Sequence, residues 1–132
     1  MRPEHAYALT ASDLERFETF VREGGTIVCL NTASRFVIEQ FRLPVRNVVE
    51  SLKPEQFFLR GSIVEVRTDP SHQVMAGMPA RAPVFVDGSP VFEPLEGFKG
   101  QVLARYAEDG SPLLAGFLIG ETHVQGRAAA LD

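Results

Sequence analysis

One cysteine and three histidines are the residues of this 132-residue chain that could carry nucleophilic chemistry: Cys29, His5, His72 and His123. A thiolate that attacks a carbonyl needs a base to take its proton, and usually a third group to orient that base. Cys29 stands in "GGTIVCLNTAS", Gly24 to Ser34, where a double glycine leads into a mostly β-branched or apolar run that ends in a small polar turn. Where a fold presents its nucleophile on a strand-to-helix elbow, the reactive residue lies in the sharp turn beyond the strand, against the amides of the following helix. Cys29 falls inside the apolar run instead, and the turn contains no glycine. A thiol buried among Ile27, Val28 and Leu30 has a raised pKa and is inert, so the position reads as core. The catalytic alternative uses Cys29 with His123 as its base.

The turn itself offers a second kind of site. Asn31, Thr32 and Ser34 are expected at the carboxyl end of a strand and the start of a helix, where hydroxyls, an amide and free backbone N–H groups bind a small anion or polar ligand. Ser34 also reads as an ordinary helix cap. No metal site is expected in this chain: "HQVM" at His72 and "HVQG" at His123 lack the HxxE or HExxH spacing that puts two ligands on one ion. No phosphate loop is expected either, because Gly24-Gly25 precedes the apolar run and a dinucleotide fingerprint follows it.

These residues must be positioned by the elements around them. Ser12-Asp13-Leu14-Glu15 has the pattern of a capping box and predicts a helix whose Leu14, Phe17, Phe20 and Val21 form one apolar stripe. Gly24 can take the left-handed conformation that ends it. "TIVCL" is apolar at consecutive positions, the sign of a parallel strand covered on both faces. Ser34 to about Phe41 predicts a second helix, stopped by Leu43-Pro44. From about Phe57 the pattern changes to short strand-like runs, with Asp87-Gly88 and Asp109-Gly110 as expected hairpin turns. The coarse expectation is a helix-strand-helix unit followed by an antiparallel or mixed, β-rich half.

Composition bounds the partners. A chain that is 45% hydrophobic and 23% charged lies in the globular regime, with room for a single domain over residues 1–132. A net charge of −4, with arginines and lysines scattered singly among acids, provides no basic stripe for nucleic acid. No apolar run approaches the roughly 20 residues that span a bilayer, and the first residues show no signal-peptide pattern. "GRAAALD" reads as a strand entering a turn, which predicts a domain incomplete at that end. Unclosed sheet edges favour self-association, so a homodimer is a further expectation.

Three segments carry a family resemblance: "LERFETFVREGGTIVCLNTASRFVIEQFRLPVRNVV", "RGSIVEVRTDPSHQVMAGMPARAPVFVDGSPVF" and "VLARYAEDGSPLLAGFLIGETHVQGRAAALD". Together they resemble the C-terminal domain of bacterial zinc carboxypeptidases of the carboxypeptidase A type, a domain similar in fold to class I glutamine amidotransferases. The most specific pieces are Leu43-Pro-Val-Arg-Asn47, Met75-Ala-Gly-Met-Pro79 and Leu113 to Glu121. The resemblance implies a partial flavodoxin-like three-layer α/β sandwich, incomplete at both ends, from which the amidotransferase machinery has been lost. The position where an amidotransferase has the acid of its His-x-Glu pair holds Gln125. The implied role is a non-catalytic accessory or scaffolding domain, with the peptidase domain of the same parent as its partner. Zinc is implied only in that peptidase domain, and the parent family suggests a secreted or periplasmic setting. The chain departs from the family pattern at Leu59-Arg60-Gly61-Ser62, where relatives tend to have proline before the glycine. Binding of a small molecule at Asn31, Thr32 and Ser34 is the remaining alternative.

Overall fold

A computed structural model describes residues 9–132, so His5 lies outside the described residues. Two helices come first, α1 (Ala11–Arg22) and α2 (Ala33–Gln40). Nine short strands follow: β1 (Val45–Asn47), β2 (Phe58–Leu59), β3 (Ser62–Thr68), β4 (Arg81–Val86), β5 (Phe92–Pro94), β6 (Val102–Tyr106), β7 (Leu113–Ala115), β8 (Leu118–Ile119) and β9 (Ala128–Leu131). Single 3-10 turns interrupt them at Gln73–Met75 and Glu121–His123.

The cap of α1 is Thr10 rather than Ser12. The Thr10 hydroxyl accepts from the Asp13 amide, and the Asp13 carboxylate accepts from the Thr10 amide at 2.9 Å, so the reciprocal box sits two residues earlier. Gly24, at φ +93, ends the helix in the left-handed conformation that glycine adopts without penalty. The second helix begins at Ala33, so Ser34 lies within it, and its hydroxyl donates back to the Asn31 carbonyl at 2.6 Å.

The expected flavodoxin-like α/β sandwich is not what these residues form. Seven strands make one sheet of order β1-β5-β9-β6-β3-β4, with β7 also paired to β3, and every pairing is antiparallel. The remaining pair, β2 and β8, forms a small antiparallel ladder. Parallel neighbours need a crossover of a dozen or more residues, usually a helix. No α-helix occurs after Gln40 among the described residues. Thr26–Leu30, expected as a central parallel strand, forms no strand: no backbone hydrogen bond involves Thr26 to Cys29.

Within the sheet, strand identity follows side-chain alternation. Ser62, Val64 and Val66 of β3 are buried while Ile63 is exposed, and across the ladder Ala82 and Val86 of β4 are buried while Phe85 is exposed. The core gathers these valines with Leu59, Val91, Ala104, Tyr106 and Val124 on one face of the sheet. Neither helix buries a residue, so the core belongs to the strands and the loops that cover them.

The two expected hairpins also differ. Strands β6 and β7 both pair with the same edge of β3, Tyr106 opposite Val66 and Leu113 opposite Val64, so they run end to end. Asp109-Gly110 is therefore a loop bulging out of one interrupted strand, spanned by Ala107 N–H to Glu65 O at 3.1 Å and Glu65 N–H to Pro112 O at 2.7 Å. Asp87-Gly88 joins β4 to β5, which lie on opposite sides of the sheet and do not pair.

Ser62 holds the end of this arrangement. Its hydroxyl accepts from the Phe117 amide at 3.0 Å and stands within bonding distance of the Arg60 and Phe117 carbonyls, at 3.0 and 3.1 Å. Gly116 makes the approach possible: it sits at φ +104, and a β-carbon there would fall 2.4 Å from the Ser62 hydroxyl. Among the described residues no helix is long and apolar enough to cross a membrane. Replacing Ser62 with alanine leaves the Phe117 amide without its acceptor at a buried position. Ser62→Ala is expected to lower unfolding stability by about 1–3 kcal/mol in a denaturant titration, with an unchanged slope.

Candidate functional site

The groups that could do covalent chemistry are each held in a separate structural role. Cys29 is half-buried, and desolvation raises its thiol above the ordinary value. No hydrogen bond joins it to a histidine. His123 stands edge-on to Phe57, with ring centroids 6.3 Å apart and an interplanar angle of 86°. Gln125, two residues beyond His123, donates from Nε2 to the Gly110 carbonyl at 2.8 Å and ties down the loop after β6.

His72 is occupied at both nitrogens. Nδ1 accepts from the Val74 amide at 3.2 Å, which places the proton of a neutral ring on Nε2, and Nε2 meets the Asp132 carboxylate at 3.2 Å. A ring so engaged has no lone pair left for a substrate proton. It instead fastens the 3-10 turn before Met75 to the end of β9. Among the described residues, no cluster of three His, Cys, Asp or Glu side chains could hold a metal ion.

Asn31, Thr32 and Ser34 do come together, at the edge of a cavity of about 210 Å³ between α2, β1 and the β4–β5 connection. Asn31 takes φ 49, in the left-handed region that asparagine tolerates better than most residues. This turns its side chain toward Ser89, whose hydroxyl donates to Asn31 Oδ1 at 2.7 Å. Ile38, Val45, Pro90 and Phe92 supply apolar lining.

Charge reaches the cavity in compensated form. Arg35 is paired to Glu39 at 2.8 Å and to Glu50 at 3.1 Å. Arg46, opposite Glu93 in the β1–β5 register, is paired to that carboxylate, which Arg127 Nη1 also meets at 2.6 Å. The hydrogen bonds from Arg127 and Arg46 hold the Glu93 carboxyl below the usual carboxylate range. Two guanidinium groups and two carboxylates on the wall suit a small polar molecule with both donors and acceptors, and leave no surplus cation for a phosphate.

Arg35, Arg46, Asn47 and Glu50 were not among the expected site residues. The Arg35-Glu39 spacing of four on a helix is legible in the sequence. The others arrive through the register of β1 against β5 and the turn after β1, where Asn47 Oδ1 accepts from the amides of Val49 and Val91 at 3.3 and 3.0 Å. No local pattern marks such long-range pairing.

Compared with family models, curated proteins and solved structures, the chain matches none. The state of Cys29 can be read directly. Iodoacetamide is expected to alkylate native Cys29 no faster than a free thiol at pH 7, with a rate that climbs through a midpoint above the ordinary value of about 8.5. A midpoint below 7.5, followed by mass spectrometry, would show an activated thiolate.

Proposed function

We propose that this chain is a non-catalytic accessory domain that works by holding polypeptide, in a parent protein of the zinc-carboxypeptidase kind that its sequence resembles. The observation that carries this reading is the state of Thr26–Leu30 and its surroundings. Side chains there alternate in exposure as on a strand, with Ile27 and Cys29 half-buried and Val28 and Leu30 exposed at 78% and 74%. Phe20 and Val21 of α1 are also about half exposed, at 50% and 48%, and the Phe20 ring lies against Gly25.

Backbone amides and carbonyls left free, as from Thr26 to Cys29, are a template for another strand. Soluble proteins guard such edges with lysine, proline or a bulge, yet no charged residue and no proline occurs between Glu23 and Arg35. The separation of Cys29, His72 and His123 into unrelated contacts supports the non-catalytic half of the reading. The peptidase domain implied by the resemblance is the natural occupant of this edge, and a second copy of the chain can take its place in isolation.

In analytical ultracentrifugation the isolated chain is expected to self-associate at tens of micromolar. Val28→Lys should weaken that association about 100-fold by placing like charges at the junction, without changing the thermal unfolding of the strand core. Hydrolysis of glutamine or of peptide C-termini at enzyme-like rates would overturn the proposal, as would a strictly monomeric chain.

The cavity beside Asn31 favours a second reading, capture of a small polar molecule. A thermal-shift screen of amino acids and sugars is expected to show stabilisation that Thr32→Val with Ser34→Ala removes; a flat screen sinks it.

A further inference from the structure

A second cavity, of about 220 Å³, lies on the opposite side of the β4–β5 connection, over the inner face of the four strands β9, β6, β3 and β4. Its floor is shallow in side chains: Ala104 of β6 and Ala130 of β9 leave room where larger residues would fill the face, and Val66 and Val84 border them. Met75 and Met78, from the connection between β3 and β4, form its opposing wall. Methionine is flexible and polarizable, and its sulfur makes favourable contacts with aromatic rings. No charged side chain lines the space.

One polar group in this lining has no partner. Tyr106 is 2% exposed, and its hydroxyl makes no hydrogen bond with the protein. The other hydroxyls on the rim are already engaged, Thr68 donating to the Pro79 carbonyl at 2.8 Å and Ser89 to Asn31 Oδ1 at 2.7 Å. Burial raises the phenol to about 12, so at neutral pH it is a donor. Tyr106 lines the cavity with a hydroxyl hydrogen that no protein group accepts, which an occupant carrying an acceptor can receive.

We propose that this cavity binds a small, uncharged, largely apolar molecule carrying one hydrogen-bond acceptor, which the Tyr106 hydroxyl receives while the body of the ligand packs between the alanine floor and the two methionines. The absence of charge in the lining excludes ions, whose desolvation nothing there would offset. The volume suits one substituted ring or an aliphatic chain of similar bulk, since an apolar cavity of about 150 Å³ already accommodates benzene. Tyr106 is the specificity residue: the apolar walls accept any fitting body, and the phenol selects those that can accept. This site is independent of the Thr26–Leu30 edge, so either can fail without the other.

Acetophenone and ethylbenzene test this directly, because they share a ring and differ in the carbonyl acceptor. In titrations followed by nuclear magnetic resonance, both probes are expected to shift the methyl signals of Met75, Met78, Ala104 and Ala130 saturably, with acetophenone bound about tenfold more tightly. The tyrosine absorbance should move to longer wavelength with acetophenone alone, as its hydroxyl gains an acceptor. Tyr106→Phe keeps the ring that packs the core and should equalise the two probes by weakening acetophenone about tenfold. Ala104→Leu, confirmed folded by its spectrum, should abolish binding of both. Failure of either probe to shift those methyls would overturn the proposal, and so would a preference for acetophenone that survives in Tyr106→Phe.

Discussion

Pairing of β3 along both of its edges is the constraint on which the β half depends. On one side Ser62 to Arg67 match Val86 to Arg81 residue for residue. On the other, β6 and β7 share the edge in succession, with the chain looping out between them at Asp109-Gly110. Because side chains alternate along β3, this single register decides which face is buried, and it sends Val64 and Val66 into the core with Ser62 at its border. A slip of one residue would bury Glu65 and expose both valines. The same register aligns Arg81, Arg67 and Arg105 across three neighbouring strands, a repulsive row that Glu65 and Asp109 relieve by pairing with Arg81 at 2.6 Å and with Arg67 at 2.6 Å.

Against this closed half, the N-terminal part is open. Both helices have the amphipathic pattern of elements that pack on a core, and neither buries a residue. A few specific contacts attach them to the sheet, chiefly Ser89 to Asn31 and Arg35 to Glu50. Apolar surface left bare next to unpaired backbone is the physical signature of an interaction edge, since both the side chains and the amides gain on being covered. Among the described residues no hydrogen bond joins Cys29 to a histidine.

The two cavities divide along the same line. The one beside Asn31 lies where helix meets sheet and sets the charged pairs of Arg35 and Arg46 beside Ile38, Val45, Pro90 and Phe92, so its lining is mixed. The one above Ala104 lies over the sheet interior and is walled by methionine, valine and alanine, with a single phenol as its polar handle. Their residues are close in the fold, Ser89 linking one rim to the other through Asn31, yet only the first has charged side chains in its lining.

Local readings of the sequence identified the helix over the Leu14–Val21 stripe, its glycine stop, the second helix after Asn31 and the β-rich character beyond Phe57, because capping, 3.6-residue periodicity and alternation are properties of a few adjacent residues. The core reading of Cys29 rested on its apolar neighbours, but Val28 and Leu30 are exposed and Cys29 is only half-buried. What the sequence alone misjudged is whatever depends on partners distant in the chain. "TIVCL" has the composition of a doubly covered parallel strand, but composition does not supply neighbours, and without them the segment stays unpaired and the flavodoxin-like sandwich does not form. Asp109-Gly110 has hairpin chemistry, but β3 captured both flanking strands and made it a bulge. The meeting of Arg35, Arg46 and Glu50 around Asn31, and of Tyr106 with Met75 and Met78, was decided by tertiary structure alone, since pairing register and loop packing bring together residues that no local spacing relates.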